Sequence, residues 1–211
     1  MTDDARTLVF IGDSITAAGR VSSDPSDLGH GFVALIAQAL DRRHPDSALV
    51  IRNSGVSGDR ARDVEARWER DCLALEPDMI TLLVGVNDTW RRFDSGEANP
   101  VEEYAASLHR MLISARERSS AAIVLVEPFI LQVGFVTTAW EQDLAARRAV
   151  VAELALECGA SFIRTQGPLD DAAAADPKAL LDDGVHPTPA GHRLLAERWL
   201  AAQDISVGSG L

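Results

Sequence analysis

The chain has 211 residues, with 20 Lys+Arg against 32 Asp+Glu, a formal net charge of −12, 46% apolar residues and two cysteines. Gripping nucleic-acid phosphates or anionic lipid takes clustered Lys and Arg, so this balance argues against both partners. No apolar run approaches the ~20 residues that span a bilayer, and the acidic start Met1-Thr2-Asp3-Asp4 lacks the charge and apolar stretch of a signal peptide, which makes a cytoplasmic protein the expectation.

Short apolar runs rich in branched residues alternate with longer amphipathic stretches. The runs are Leu8 to Ile11, Leu49 to Arg52, Met79 to Val84, Ile123 to Val126 and Ser161 to Ile163, and near-continuous apolar runs suit parallel strands covered on both faces. Between and after them lie helix candidates near residues 31–43, 60–75, 100–118, 140–158 and 189–202. Asn99-Pro100-Val101-Glu102 predicts a helix start with an Asn cap, Pro at the first helical position and Glu placed for a capping box. Thr188-Pro189 repeats the cap-then-Pro pattern. Alternation of strand and helix implies an α/β protein on one parallel sheet. One domain is expected over residues 1–211, with a core of about 7–202 and a short tail over 203–211. A domain of this size buries roughly 70% of its unfolded surface and needs no staple. Cys72 and Cys158 stand alone without a CxxC or ligand-spaced His, and read as buried free thiols rather than a zinc site.

Open α/β sheets bind ligands beyond the carboxyl ends of their strands, where the strand order reverses. For the order 2-1-3-4-5 that point lies between strands 1 and 3. The loops leaving strands 1, 2 and 3 read Gly12-Asp13-Ser14-Ile15-Thr16, Asn53-Ser54-Gly55-Val56-Ser57-Gly58-Asp59 and Gly85-Val86-Asn87-Asp88-Thr89-Trp90. All three would meet in one crevice.

Ser14 is the candidate nucleophile. A serine hydroxyl needs a neighbouring base, itself held by a third group. His186 in Asp183-Gly184-Val185-His186-Pro187 is the best base, and Asp183, three residues earlier, can fold back to hold its ring. Donors for an oxyanion are at hand in the Ser14 N–H, the Gly58 N–H and the Asn87 amide, Gly58 suiting close backbone approach because it has no Cβ. Each feature alone has a plain rival: Gly-Asp-Ser can be a turn, Asp-x-x-His a helix cap, Asn87-Asp88 a self-bonded turn. His30, His44, His109 and His192 flank or lie within helices and read as exposed or satisfied, and Ser57, the rival nucleophile, sits in a loop better suited to donating N–H groups. The Gly-x-Ser-x-Gly elbow, the Walker-A pattern, Gly-x-Gly-x-x-Gly and His-Glu-x-x-His are absent.

Taken in order, Gly12-Asp13-Ser14, Gly58, Gly85-x-Asn87-Asp88 and Asp183-x-x-His186 resemble the four blocks of the SGNH (GDSL) hydrolases, over about residues 7–202. The resemblance implies a flavodoxin-like three-layer α/β/α sandwich with a five-stranded parallel sheet and a serine-esterase mechanism without metal or cofactor. It makes Ser14, Asp183 and His186 the triad, and Ser14, Gly58 and Asn87 the oxyanion hole. The stretch Asn87-Asp88-Thr89-Trp90-Arg91-Arg92-Phe93-Asp94 is similar to the bacterial acetylxylan esterase branch, as are Glu127-Pro128-Phe129, Gly29-His30-Gly31-Phe32-Val33 and Arg62-Asp63-Val64-x-x-Arg67-Trp68. The chain departs from that branch at Asp182, where an aromatic residue is usual. The expected substrate contacts are Asp13, Trp90 and Phe129; Trp90 and Phe93 read either as packing under the loop or as a wall leaving room for little more than acetyl. The expected reaction is removal of short acyl groups, acetyl above all, from carbohydrate such as xylo-oligosaccharide. A −12 surface suits a neutral sugar ester better than a polyanion. The rivals are a lysophospholipase, thioesterase or arylesterase with longer-chain preference, and a catalytically silent binding module. A flavodoxin-like nucleotide binder fits less well, because the first loop lacks a phosphate-cradling pattern. Resembling esterases often assemble, so a homo-oligomer is also an expectation.

Overall fold

Along the first strand, alternation sends Leu8 and Phe10 into one apolar cluster and Val9 and Ile11 into another, which places that strand inside a sheet covered on both faces. The computed structural model describes residues 5–203. Its five strands are β1 (Arg6–Gly12), β2 (Leu49–Gly55), β3 (Met79–Leu83), β4 (Ala122–Val126) and β5 (Ser161–Ile163). All pair in parallel, in the order β2-β1-β3-β4-β5. Gly12 lies level with Gly55 on one side and Leu83 on the other, so the three loops begin side by side at the order reversal.

Helices α2 (Phe32–Arg43) and α8 (Pro189–Ala202) cover the face bearing Leu8, Phe10 and Val124, while α3 (Ala61–Asp71) and α5 (Val101–Arg118) cover Val9, Ile11, Ile80 and Leu82. α6 (Thr138–Glu157) gives Trp140 and Leu144 to the first cluster and Val151, Leu154 and Ala155 to the second. The result is the three-layer α/β/α arrangement. On the first face Trp199 packs 5.4 Å from the Phe10 ring, and its indole N–H donates to Thr81 Oγ1 at 3.1 Å, which satisfies a polar group buried by that packing.

The predicted elements recur with shifted ends. The 60–75 helix stops at Asp71 and continues as a 3₁₀ turn, Leu73–Leu75. α6 begins at Thr138 rather than 140. Three short helices, α1 (Ser14–Ala17), α4 (Val86–Asp94) and α7 (Gln166–Ala173), were not expected. α1 and α4 occupy stretches read as loops, because a helix starting directly off a strand has no room for a separate run of cap residues. Thr188 caps α8 as predicted, accepting from Ala190 N–H and Gly191 N–H, with Pro189 in the first turn. Asn99 does not cap α5. Pro100 takes the cap position, no side chain caps there, and the Asn99 amide donates instead to the Asp88 carbonyl at 3.0 Å. The buried Asp88 backbone and side-chain oxygens, the latter at 3.3 Å, take the amide in place of the helix end. Cys72 and Cys158 are buried and free, each capping the C-terminal end of a helix rather than lying within it, and burial pushes the Cys72 thiol up to about 12. Among the described residues no helix is long and apolar enough to cross a membrane.

Candidate active site

β1 ends at Gly12 and the chain turns at once into α1, whose first residue is Ser14. Asp13 makes that turn: its Oδ1 accepts the Ile15 N–H at 2.9 Å, so the carboxylate caps the helix that presents the serine. Ser14 Oγ lies 3.0 Å from His186 Nε2 across 172 residues of sequence. On the far side of the ring, Nδ1 lies 2.7 Å from Asp183 Oδ2. A carboxylate only accepts, so Nδ1 carries the ring hydrogen and Nε2 is left to accept from the serine. The loop holds itself: Asp183 Oδ1 accepts the N–H groups of Val185 and His186 at 2.9 and 2.8 Å. Partial burial pushes the Asp183 carboxyl up, but these N–H groups and the imidazole outweigh it and hold it below the usual carboxylate value. Gly184 is required here, with φ of +94° and the Leu131 carbonyl 2.6 Å from where a Cβ would stand.

Facing this relay are the loops after β2 and β3. Gly58 has φ of +88°, and a Cβ there would meet only Arg91 Nη2, at 3.8 Å. Backbone conformation rather than crowding therefore calls for glycine, and it turns a peptide N–H where an L-residue would be strained. Asn87 stands in the first turn of α4, buried, and donates one amide hydrogen to the Asp59 carbonyl at 3.0 Å. An amide nitrogen carries two hydrogens, so one remains for a ligand. The first-turn N–H groups of α1 likewise lack intrahelical acceptors.

One buried cation ties these loops together. Arg67 on α3 donates to the Gly12 carbonyl at 3.0 Å, the Ser54 carbonyl at 2.7 Å and Asp59 Oδ2 at 2.6 Å, with Asp71 Oδ2 at 3.2 Å. It thus joins the ends of β1 and β2 to the residue after Gly58. Asp88 adds a second tie by accepting the Ala61 N–H at 3.0 Å. Burial pushes Asp88 up to about 6 despite its hydrogen bonds. Asp13 is pushed up to about 7, by burial foremost and by the charges of Asp88 and Asp59, with the Ile15 N–H opposing. Its Oδ2 has no hydrogen-bond partner, which suits a carboxyl that keeps its proton.

The base side carries the aromatic residues. Trp90 lies 5.9 Å from the His186 ring, 4.9 Å from Phe135 and 5.6 Å from Trp140, centroid to centroid. Among the described residues no group of three or more His, Cys, Asp or Glu could hold a metal ion.

Known proteins resemble this chain in sequence and fold. Residues 10–194 match the GDSL-like lipase/acylhydrolase family. The chain belongs to that family. It is a carboxylic-ester hydrolase. It is 34% identical to an acetylxylan esterase of Geobacillus stearothermophilus over 92% of this chain and 91% of that protein. A crystal structure of that esterase superposes with a TM-score of 0.85 at 31% identity, covering 96% of both chains. Solved forms of that enzyme include catalytic mutants at a serine, an aspartate and a histidine. A protein of Parabacteroides merdae described as a GDSL-like lipase superposes with a TM-score of 0.89 at 30% identity, over 96% of this chain and 98% of that one.

Within this acylhydrolase, Ser14, His186 and Asp183 meet in one hydrogen-bonded line, with Asn87 and Gly58 on adjoining loops. Two expected substrate contacts are misplaced. Phe129 is fully buried in the core, because the chain leaving β4 turns inward before it surfaces, and Asp13 is fully buried as the helix cap. Neither faces a substrate. His192 is buried and satisfied, accepting the Phe32 N–H at 3.2 Å, and burial holds its imidazole down at about 4. The sequence reading named Arg67 only within a stretch of resemblance and gave it no role, although a signal was present. Ala61, Val64 and Trp68 form the apolar stripe of α3, and Arg67 falls on it; a cation at a core position must have partners.

Proposed function

We propose that this hydrolase removes short acyl groups, acetyl foremost, from a neutral carbohydrate such as xylo-oligosaccharide. Ser14 is the nucleophile, His186 the base and Asp183 the group that holds the imidazole. Ser14 Oγ attacks the ester carbonyl as its proton passes to His186 Nε2. The tetrahedral oxyanion is met by the N–H groups of Ser14 and Gly58 and the free hydrogen of Asn87. His186 then protonates the departing sugar oxygen, leaving Ser14 acylated. Water loses a proton to His186 and attacks the acyl-enzyme; Ser14 recovers its hydrogen as acetate leaves. No metal or organic cofactor enters these steps.

The observation that carries the mechanism is the line Ser14 Oγ–His186–Asp183, at 3.0 and 2.7 Å. The acetyl preference draws support from the likeness to an enzyme named as an acetylxylan esterase. The sugar acceptor draws support from the likeness to an acetylxylan esterase across most of the chain. The test is a panel of acetylated mono- and oligosaccharides, with acetate release measured for the native protein and Ser14→Ala. The expected result is release by the native protein alone. A rate maximum at octanoyl or longer esters would overturn the acetyl reading, and full activity in Ser14→Ala would overturn the nucleophile.

A further inference from the structure

Trp90 stands beside the His186 ring, and the next ring outward is of a different kind. Phe135 is 46% exposed although it sits between two valines, Val133 and Val136, that are buried in the core. Its segment is a tight turn in which Val136 N–H donates to the Val133 carbonyl at 3.1 Å and Val133 N–H to the Leu131 carbonyl at 2.8 Å. That turn is pinned to the loop of the relay, since Leu131 N–H donates to the Gly184 carbonyl at 2.9 Å. Phe135 is therefore held out on a short, anchored support rather than left over from poor packing. Its ring packs 4.9 Å from Trp90 and 5.5 Å from Trp140.

Exposed large apolar side chains are ordinary when scattered singly. Here, of the Phe, Trp and Tyr rings among the described residues, only Phe135 and Phe93 are exposed, and both pack on Trp140, which in turn packs on the Trp90 beside His186. The flanking groups are polar: Gln132, Thr137, Thr138 and Asp182 are exposed, and Thr138 Oγ1 donates to Gln132 Oε1 at 3.2 Å. An aromatic face ringed by amide and hydroxyl groups matches a pyranose, which offers C–H groups on one face and hydroxyls at its edge. A long acyl chain would need a continuous apolar trough.

Resting on the sugar-ester reading, we propose that Phe135, backed by Trp90, is the acceptor subsite, on which a neutral sugar ring of the leaving alcohol stacks while its ester reaches Ser14. Phe135 is a specificity-determining residue and takes no part in the chemistry.

The experiment compares acetylated xylotriose with ethyl acetate, which has the same acyl group and no ring. In Phe135→Ala the ratio of kcat/KM for the sugar ester to that for ethyl acetate is expected to fall about three- to tenfold, the size of one aromatic contact. The loss should lie in KM, and Phe135→Trp should restore the ratio. Titrating acetylated xylotriose into Ser14→Ala and Ser14→Ala/Phe135→Ala by calorimetry should show the same loss of affinity without turnover. A ratio within twofold of the native value, no rescue by Phe135→Trp, or a greater loss on octanoyl esters than on the sugar would overturn the subsite. So would a change in oligomeric mass in Phe135→Ala, which would make the ring a contact between copies. If the native protein hydrolyses ethyl acetate but no acetylated saccharide, the sugar reading falls and takes the subsite with it; if it cleaves saccharides and only the Phe135 effect is missing, the subsite alone falls.

Discussion

Around Gly58 and Asn87 the backbone is gathered by buried charge: Arg67 reaches two carbonyls and two carboxylates at the ends of β1 and β2, and Asp88 holds the start of α3. The Asp183–His186 loop, across the cleft, is held by bonds two and three residues long, by the Leu131 N–H on the Gly184 carbonyl and by the tilted Trp90 ring. No buried cation among the described residues bonds it, and both functional side chains are partly open to solvent. On the proposed mechanism, the difference follows the work each side does. Donors for an oxyanion must be in place before charge develops, and a network that cannot relax keeps them there. A base must turn between a serine, a leaving alcohol and water, and the acceptor must enter and leave past it. Pre-organisation therefore sits on the donor side and substrate access on the base side.

The sharpest way to break this comparison is at the relay. Ser14→Ala should cut kcat by on the order of 10⁶, measured as acetate release; activity above a hundredth of native would place the nucleophile elsewhere. Asp183→Asn keeps the shape but lets the ring take the wrong tautomer, so kcat should fall roughly 10⁴-fold. A loss below about tenfold would mean the short loop alone orients His186. On the donor side, Asn87→Ala should cost roughly 10²–10³ in kcat with little change in KM. An equal rise in KM would make Asn87 a ground-state contact instead.

Arg67→Ala leaves Asp59 and two carbonyls without their cation, and breaking a buried pair costs about 3–5 kcal/mol. Urea denaturation should record that loss, together with a lower kcat for whatever remains folded. A change under about 1 kcal/mol would show that the donor side is not organised by this charge.

The smallest effect concerns Asp13. Its folded value of about 7 lies above the ordinary carboxyl value of 3.8, so between pH 4 and 7 the unfolded chain gives up this proton while the folded protein keeps it. Its contribution to stability therefore declines as pH rises through that window and is level outside it. Asp13→Asn retains an acceptor for the Ile15 N–H and removes the titration. Unfolding in urea at pH 4.5 and 7.5 should show the variant gaining relative to native at the higher pH. A pH-independent difference would mean Asp13 is ionised in the fold.

Much of the site is local in origin and was readable as such. Ser14 follows a strand and its own cap, and Asp183 and His186 lie within one turn, so hydrogen-bond reach sets their spacing. The positions of five strands and five helices followed from periodicity, because burial on two faces leaves near-continuous apolar runs; the strand order was only a condition of the reading and came from the packed sheet. Readings failed where a distant group competed with a local one. Asn99 was read as a cap and bonds Asp88 instead; Phe129 was read as a contact and is core; the polar stretch after β3 was read as a loop and is the first turn of α4.

The −12 charge argued against phosphate-bearing partners, and four short blocks resembled those of a family whose ester chemistry needs no basic surface. Those conclusions rest on residue types and spacings along the chain, which survive without coordinates. The tertiary structure alone brought His186 to 3.0 Å from a serine 172 residues away. It alone assigned Arg67 to the carbonyls of two strands and lifted Phe135 out beside the relay. Contacts of that range depend on how helices lie over the sheet, and the order of residues in a chain does not encode the distance between two loops until the core has packed.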